Sequence, residues 1–322
     1  MHQFVASFTP SDLSVVIPTR ERWPILAKTL EALRTQTVHG FETIVVVDGT
    51  DQAPPEDLDA KVIVKEHGGP GAARNVGARA SDRALVLFLG DDMIPSPGLV
   101  AHHLERHSAS AAPEVAVLGR VTWHRDVSRN RLLRWMDWSG TQFDFHHIVG
   151  SEAGFGRFYS CNVSLRRSFF LDVGGFDSDF VFDYEDLDCG WRLDQRGMRL
   201  LYEPAAVAWH LHSYDWSGVV RRWESRAGAE YLMATKHSWF TPWFLERIRA
   251  AAAAPPVGRA WPLVVDLVPR KLVRARRAAE VRADRWYHQQ LAPTFLAAWE
   301  KADQQAQAAK ESTTPRAPTG DR

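Results

Sequence analysis

The chain has 322 residues, and its 39 Lys and Arg balance 39 Asp and Glu, so no global charge draws it to nucleic acid. Its 45% hydrophobic and 24% charged content is that of a globular chain and excludes a disordered one. Two cysteines, Cys161 and Cys189, make neither a disulfide framework nor a thiolate metal site, which fits a reducing cytoplasm.

The opening MHQFVASFTPSD lacks the basic start and apolar core of a signal peptide. LSVVI (13–17) is a short apolar run ended by Pro18, and WPILAKTLEALRTQ (23–36) places Ile25, Leu26, Leu30 and Leu33 at helical spacing. ETIVVV (42–47), KVIVK (61–65) and ALVLFL (84–89) read as strands, with a Gly- and Ala-rich helix from about Gly71 between the last two. Unbroken apolar strands separated by helices predict an α/β fold, a mainly parallel sheet flanked by helices. Residues 115–215 differ in texture: the strand EVAVLGRVTW, a polar and aromatic loop, the strand RFYSCNVSL, a helix opening at FDYEDLDCGWRLDQRG, and a short strand AAVAWHLH. From about 216 onward the chain reads as helical and rich in Arg and Trp, and the polar residues 303–322 read as disordered. No run approaches the roughly 20 apolar residues of a membrane span.

In an open α/β sheet, ligands bind outside the carboxyl ends of the strands. Acids fall at two such ends: Asp48 after IVVV, and Asp91 with Asp92 after LVLFLG. Carboxylates gathered at one edge repel unless a cation lies between them, and hard cations are held by carboxylates together with substrate phosphates. The spacing therefore points to a metal–pyrophosphate site. The plainer alternative is that Asp91 and Asp92 cap a helix or form an Asx turn.

The ordered set of segments SVVIPTRER, IVVVDGTD, GPGAARNVGARAS, LVLFLGDDMIPSP, FYSCNVSLRRSFFLDVGGFD and YEDLDCGWRL resembles the family-2 glycosyltransferases with the GT-A fold, over about Leu13 to His212. The resemblance implies a GT-A nucleotide-binding domain at 1–215, with a nucleotide-sugar half (1–120) and an acceptor half (121–215), followed by a helical C-terminal extension (216–302). It places Pro18, Thr19, Arg20, Glu21, Asp48, Gly71, Arg74, Asn75 and Asp91 at the nucleotide sugar. LVLFLGDDMIPSP falls on the family's Asp-x-Asp motif, and flank alignment sets Gly90 at its first acid and Asp92 at its last. Asp92 is thus the expected metal ligand, and the first acid is missing. Neighbours on an extended backbone point apart, so Asp91 is expected to face away from Asp92.

FDYEDLDCGWRLDQRG offers Asp183 as an N-cap and acids in the first helical turn, an arrangement that simple capping also explains. The resemblance makes Asp186 the base of an inverting displacement, with Glu185 in support. It also implies a histidine ligand after that helix; His210 is the choice and His212 the second, although a strand histidine is more often a satisfied structural residue. The resemblance as a whole implies transfer of a sugar from a nucleoside-diphosphate sugar to an acceptor hydroxyl with Mn²⁺ or Mg²⁺. The acceptor would be a glycan, a lipid-linked sugar or a small molecule, in cell-surface polysaccharide, glycolipid or glycoconjugate synthesis. Two alternatives stay open: a catalytically silent nucleotide-sugar-binding protein, and a nucleotidyltransferase, although PTRERWP lacks the glycines of a nucleotidyltransferase loop. The basic, Trp-bearing segment PRKLVRARRAAEVRADRW is either a solvated helical face or a peripheral contact at the inner face of the membrane.

Overall fold

The computed structural model describes residues 7–110 and 112–313, which divide into two units. The first runs to Asn130 and resumes over Met136–Ser213; the second comprises Arg131–Trp135 and the chain from Tyr214.

In the first unit, β1 (Leu13–Thr19), β2 (Glu42–Asp48), β3 (Lys61–Lys65) and β4 (Leu85–Leu89) are the four strands expected before residue 90. They join β5 (Met93–Pro95), β6 (Val115–Trp123), β7 (Asn162–Arg166) and β8 (Arg199–His210) in one sheet of order β3-β2-β1-β4-β7-β6-β8-β5. The β3-β2-β1-β4 half is parallel throughout. Beyond β4 the sheet is mixed, because β7 runs antiparallel to both β4 and β6, and β5 antiparallel to β8. β6 and β8 are again parallel, so four of the seven pairings among the described residues are parallel and the sheet is mainly parallel, as expected. Two departures bear on the site: the short strand read at AAVAWHLH is the end of a twelve-residue strand, and β5 is too brief to leave a periodic signal.

Strand alternation sends the apolar residues to two cores. Val16, Ile44, Val46, Val86 and Phe88 pack with Ala73 and Ala78 of α2 (Gly69–Ala80), Phe170 of α5 (Arg167–Asp172), and Cys189 and Leu193 of α6 (Glu185–Asp194). Val15, Ile17, Val45, Val47, Leu87 and Leu89 meet α1 (Trp23–Arg34) and α3 (Leu99–Ser108) on the other face. Close approach of α2 depends on Gly77, where a Cβ would lie 2.3 Å from Val16 Cγ1.

The second unit takes the first residues of α4 (Arg131–Ser139) and contains α7 (Trp216–Lys236), α8 (Trp243–Ala253), α9 (Trp261–Leu267) and α10 (Val273–Thr313). Trp135 stacks on Tyr287 at 4.3 Å and donates to Asp284, and Trp223 is fully buried, so these tryptophans are packing residues. Residues 303–313 correct the expected disorder: they continue α10. Their Ala, Gln, Lys and Glu are strong helix formers that need no apolar content on an exposed face, and Asp303 accepts from Tyr231 of α7 and from Gln307. Residues 314–322 lie outside the described residues. No described helix is long and apolar enough to cross a membrane.

A buried polar network anchors α3 to the sheet. His103 bonds Ser164 at 2.7 Å and Asn162 at 3.0 Å, and His107 reaches the same Ser164 hydroxyl at 2.9 Å. Burial lowers both histidines, His103 to about 4 and His107 to about 3, so both are neutral in the folded chain at pH 7. The unfolded chain binds these protons first, near 6.5, so stability is full above that pH and falls as the pH drops toward 4. Denaturant unfolding at pH 7, 5.5 and 4.5 is expected to show a loss of up to ~1.4 kcal/mol per pH unit per histidine. A His103→Gln/His107→Gln variant is expected to show a shallower slope over that window.

Candidate active site

The carboxyl ends of β1, β2 and β4 lie at one edge of the parallel half, and the chain leaves β4 through a turn in which Met93 N donates to Gly90 O at 3.2 Å. This turn corrects the expectation that Asp91 and Asp92 diverge, because a turn does not alternate side chains as a strand does. Both carboxylates reach one guanidinium: Arg22 Nη1 lies 3.0 Å from Asp91 Oδ1, and Nη2 lies 2.8 Å from Asp92 Oδ2. Asp91 Oδ2 also accepts from the Thr19 hydroxyl at 2.8 Å, and its backbone carbonyl accepts from Thr29 of α1 at 2.7 Å. Burial and the neighbouring Asp92 charge push Asp91 above the ordinary carboxylate range. Burial alone would raise Asp92 too, but His210, His212 and Arg22 outweigh it and hold Asp92 well below that range.

The histidines arrive through β5 and β8. Met93 pairs with His210 across the two strands, and Leu211 N donates to the Asp92 carbonyl at 2.8 Å. His210 Nε2 then stands 3.3 Å, and His212 Nδ1 3.4 Å, from Asp92 Oδ2. Trp123 of β6 stacks on His210 at 5.1 Å, and His210 on His212 at 5.6 Å, which fixes the ring planes. One ligand atom from each of Asp92, His210 and His212 lies within 4.8 Å of the others. One carboxylate oxygen with two imidazole nitrogens is a donor set that fits a divalent transition ion. The two histidines thus come together with Asp92, rather than His210 alone.

The same turn after β4 connects to the amino end of α6, because Gly90 N donates to Cys161 O at 3.2 Å and the preceding Ser160 N–H meets Asp186. The N-cap of α6 is Tyr184, left-handed at φ 66°, and not the expected Asp183. Asp186 Oδ2 accepts from Ser160 N–H at 3.0 Å, and Glu185 Oε1 lies 3.7 Å from Arg74 Nη1. Arg74 Nε and Nη1, Ser160 Oγ, Glu185 Oε2 and Asp186 Oδ1 are all buried without a hydrogen-bond partner. Buried polar atoms are nearly always paired, and each orphan costs about 1–3 kcal/mol. Burial pushes both Glu185 and Asp186 upward; Arg74 opposes this in both, and the Asp186 charge raises Glu185 further. Cys161 stands between the two clusters, its thiol pushed up by burial and by the charges of Asp186 and Asp92.

The other expected residues divide. Asp48 is at the edge, but both its oxygens are engaged internally: Oδ1 by Lys65 (2.7 Å) and Gly68 N–H (2.9 Å), Oδ2 by His67 (2.9 Å) and Gly69 N–H (2.8 Å). These bonds tie the start of α2 to β2. Gly71 faces Glu185 so closely that a Cβ would lie 3.4 Å from its Cγ. Pro18 is buried in β1, Arg20 is exposed beside His67, and Glu21, at φ 53°, accepts from Thr50 and Asp51. Asn75 is used differently from the expectation of a nucleotide contact. Its amide donates to Phe176 O at 2.7 Å and accepts from Phe176 N at 2.8 Å, so both ends brace the loop before α6. Sequence reasoning missed Arg22, Ser160 and Trp123. Only Arg22 had a signal, since two adjacent acids at a strand end need a counter-ion and PTRER supplies a base.

A sequence model of glycosyl transferase family 2 matches residues 14–174. A pre-mycofactocin glycosyltransferase of Mycobacterium tuberculosis is 30% identical over 292 residues, 84% of this chain and 59% of that protein. A validoxylamine A glucosyltransferase of Streptomyces hygroscopicus subsp. jinggangensis is 29% identical over 58% of this chain and 52% of its own length. The chain thus spans less than two thirds of either relative. Among solved structures, a mannosyltransferase of Pyrobaculum calidifontis in complex with GDP-Man and Mn²⁺ superposes with a TM-score of 0.55 at 16% identity, covering 91% of this chain and 88% of that one. That likeness bears on fold and agrees with the GT-A architecture expected above. With the family model spanning half of its length, the chain belongs to glycosyl transferase family 2.

Proposed function

We propose that the chain transfers a sugar from a nucleoside-diphosphate sugar to an acceptor hydroxyl in a single inverting displacement. The observation that carries this reading is the group of orphaned polar atoms on Arg74, Ser160, Glu185 and Asp186, joined through Ser160 and Cys161 to the turn that bears Asp92. Sugar and acceptor hydroxyls are the partners such atoms lack. Thr19, Arg20, Glu21 and Asp48, at the carboxyl ends of β1 and β2, bound the nucleotide end, with Pro18 behind them and Gly71 leaving room beside Glu185. Asp91 keeps the ribose side of the edge, while Asn75 serves through the loop it braces.

Asp92, His210 and His212 would hold a divalent cation, and their two nitrogens favour Mn²⁺ over Mg²⁺, which prefers oxygen alone. When bound, such an ion neutralises charge on a leaving diphosphate. Asp186 removes the proton from the attacking hydroxyl at Oδ1, while Ser160 N–H holds Oδ2 in place. Glu185, raised by burial and then by the Asp186 charge, keeps its own proton and so offers the acceptor a donor. Arg74, beside both carboxyls, keeps Asp186 ionisable despite burial. The acceptor is a glycan, a lipid-linked sugar or a small molecule, in a cell-surface or glycoconjugate pathway.

The second unit supplies the contact with membrane in this reading. Leu263, Leu267, Leu272 and Val273 are exposed, Leu267 and Val273 at 70%, around the α9–α10 junction. Arg259, Arg270, Lys271, Arg274 and Arg277 surround them in sequence, and Asp266, the one acid of this stretch, is taken by Arg131 and Arg134. Apolar tips ringed by bases suit the inner, anionic face of a bilayer.

A panel of nucleotide sugars with Mn²⁺, followed by slow donor hydrolysis and transfer, is expected to find one donor class that turns over. Asp186→Asn is expected to lose roughly 10²–10⁴ of that rate with donor binding intact; binding without turnover, or no loss in the variant, overturns the enzymatic reading. The rate falls as pH drops through the raised Asp186 value, read as the acid limb of the pH–rate profile. Asp92→Ala is expected to abolish both Mn²⁺ binding, read by calorimetry, and transfer; full metal-dependent activity in that variant refutes the ligand set. For the membrane contact, vesicles containing phosphatidylglycerol should sediment the protein, and phosphatidylcholine alone should not. Leu267→Glu/Leu272→Glu should lower sedimentation about fivefold or more; equal sedimentation of the variant refutes the contact.

A further inference from the structure

Arg22 is the last residue before α1, and its half-buried side chain lies across the turn after β4. Its Nη1 bonds Asp91 Oδ1 at 3.0 Å. Its Nη2 lies 2.8 Å from Asp92 Oδ2 and 3.3 Å from His212 Nδ1. A guanidinium has donors and no acceptor, so the two carboxylate oxygens present it lone pairs, and His212 Nδ1 does so in the tautomer that leaves this nitrogen unprotonated. Two of the three atoms, on Asp92 and His212, belong to residues of the candidate metal cluster. A divalent ion needs the same lone pairs, and two cations cannot share them at hydrogen-bond range without strong repulsion.

We propose that Arg22 is a built-in counter-cation that competes with the divalent ion for Asp92 and His212 and so sets the metal affinity of the site. The inference rests on the metal reading above. Without Arg22, two adjacent buried carboxylates would face each other with less compensation, and the site would be more negative by one charge. The competing explanation is that Arg22 is a structural clamp that preorganises the ligands. The two differ in sign: removing a competitor tightens metal binding, and removing a clamp loosens it.

The test is Mn²⁺ titration of the full chain without nucleotide, by calorimetry and by the loss of free-ion electron paramagnetic resonance signal. Wild type, Arg22→Gln, Arg22→Lys and Asp92→Ala are compared, with a thermal melt of each metal-free protein. Arg22→Gln is expected to bind Mn²⁺ about tenfold tighter or more. Arg22→Lys, a point charge that cannot fork across both carboxylates, is expected to fall between Gln and wild type. If Arg22→Gln does not fold, Arg22→Lys alone decides, because its affinity rises under competition and falls under a clamp. Unchanged or weaker binding in the folded variants overturns the inference and leaves the metal site standing. Absence of Mn²⁺ binding in wild type and variants alike overturns the metal site, and this inference with it.

Discussion

Two carboxylates on adjacent residues, buried at the end of a central strand, are the constraint around which this site is arranged. Side by side in a low-dielectric edge, Asp91 and Asp92 cannot both ionise without cations or donors at close range. Each neighbouring element contributes one. β1 ends on Thr19, the turn after it brings Arg22, and the β5–β8 pairing brings His210 and His212. The charge divides unevenly: Asp92, with both histidines and Arg22, stays ionised, while Asp91 is pushed upward. Such a division separates a candidate metal ligand from a hydrogen-bonded neighbour within one dipeptide.

The α6 cluster follows the opposite rule. Asp48 has every oxygen answered from within the chain, which makes it a brace between β2 and α2 in the present state. Glu185, Asp186, Arg74 and Ser160 keep buried atoms unanswered. A fold tolerates several such orphans together only where the surrounding structure enforces them, and here the enforcement is visible. Tyr184 is held left-handed at the N-cap, Gly69 at φ 89° packs under the Val181 carbonyl, and Asn75 clamps Phe176.

Much of this was legible in the sequence because it depends on local patterns. Unbroken β-branched runs gave β1 to β4, and the acids at their ends gave the edge of the site. What was hidden depends on contacts distant in sequence. β5 exists only because β8 lies beside it, and three residues carry no period. Asn75 looked like a ligand contact because nothing local reveals that Phe176, about a hundred residues on, takes both ends of its amide. Arg22 lay one residue beyond the segment credited with nucleotide contacts, and only its bonds to Asp91 and Asp92 distinguish it from Arg20, which is exposed beside His67. The continuation of α10 to Thr313 was hidden for another reason: solubility and helix propensity are independent, and a polar run can be a good helix.

Gly90, where the family pattern expects the first acid, fits the same charge argument. A Cβ there would sit 3.0 Å from Met93 Cγ and 3.2 Å from Asp92 Oδ1, so a side chain would press directly on the carboxylate that meets His210 and His212. A third acid would also add a negative charge to an edge where the Arg22 fork is already divided between two carboxylates. Glycine removes both problems at once. It leaves the turn free to aim Asp91 and Asp92 at one guanidinium, with His212 beside Asp92. On this view the missing acid is not a defect in the site. With two acids rather than three, one guanidinium spans both carboxylates and Asp92 still meets His210 and His212.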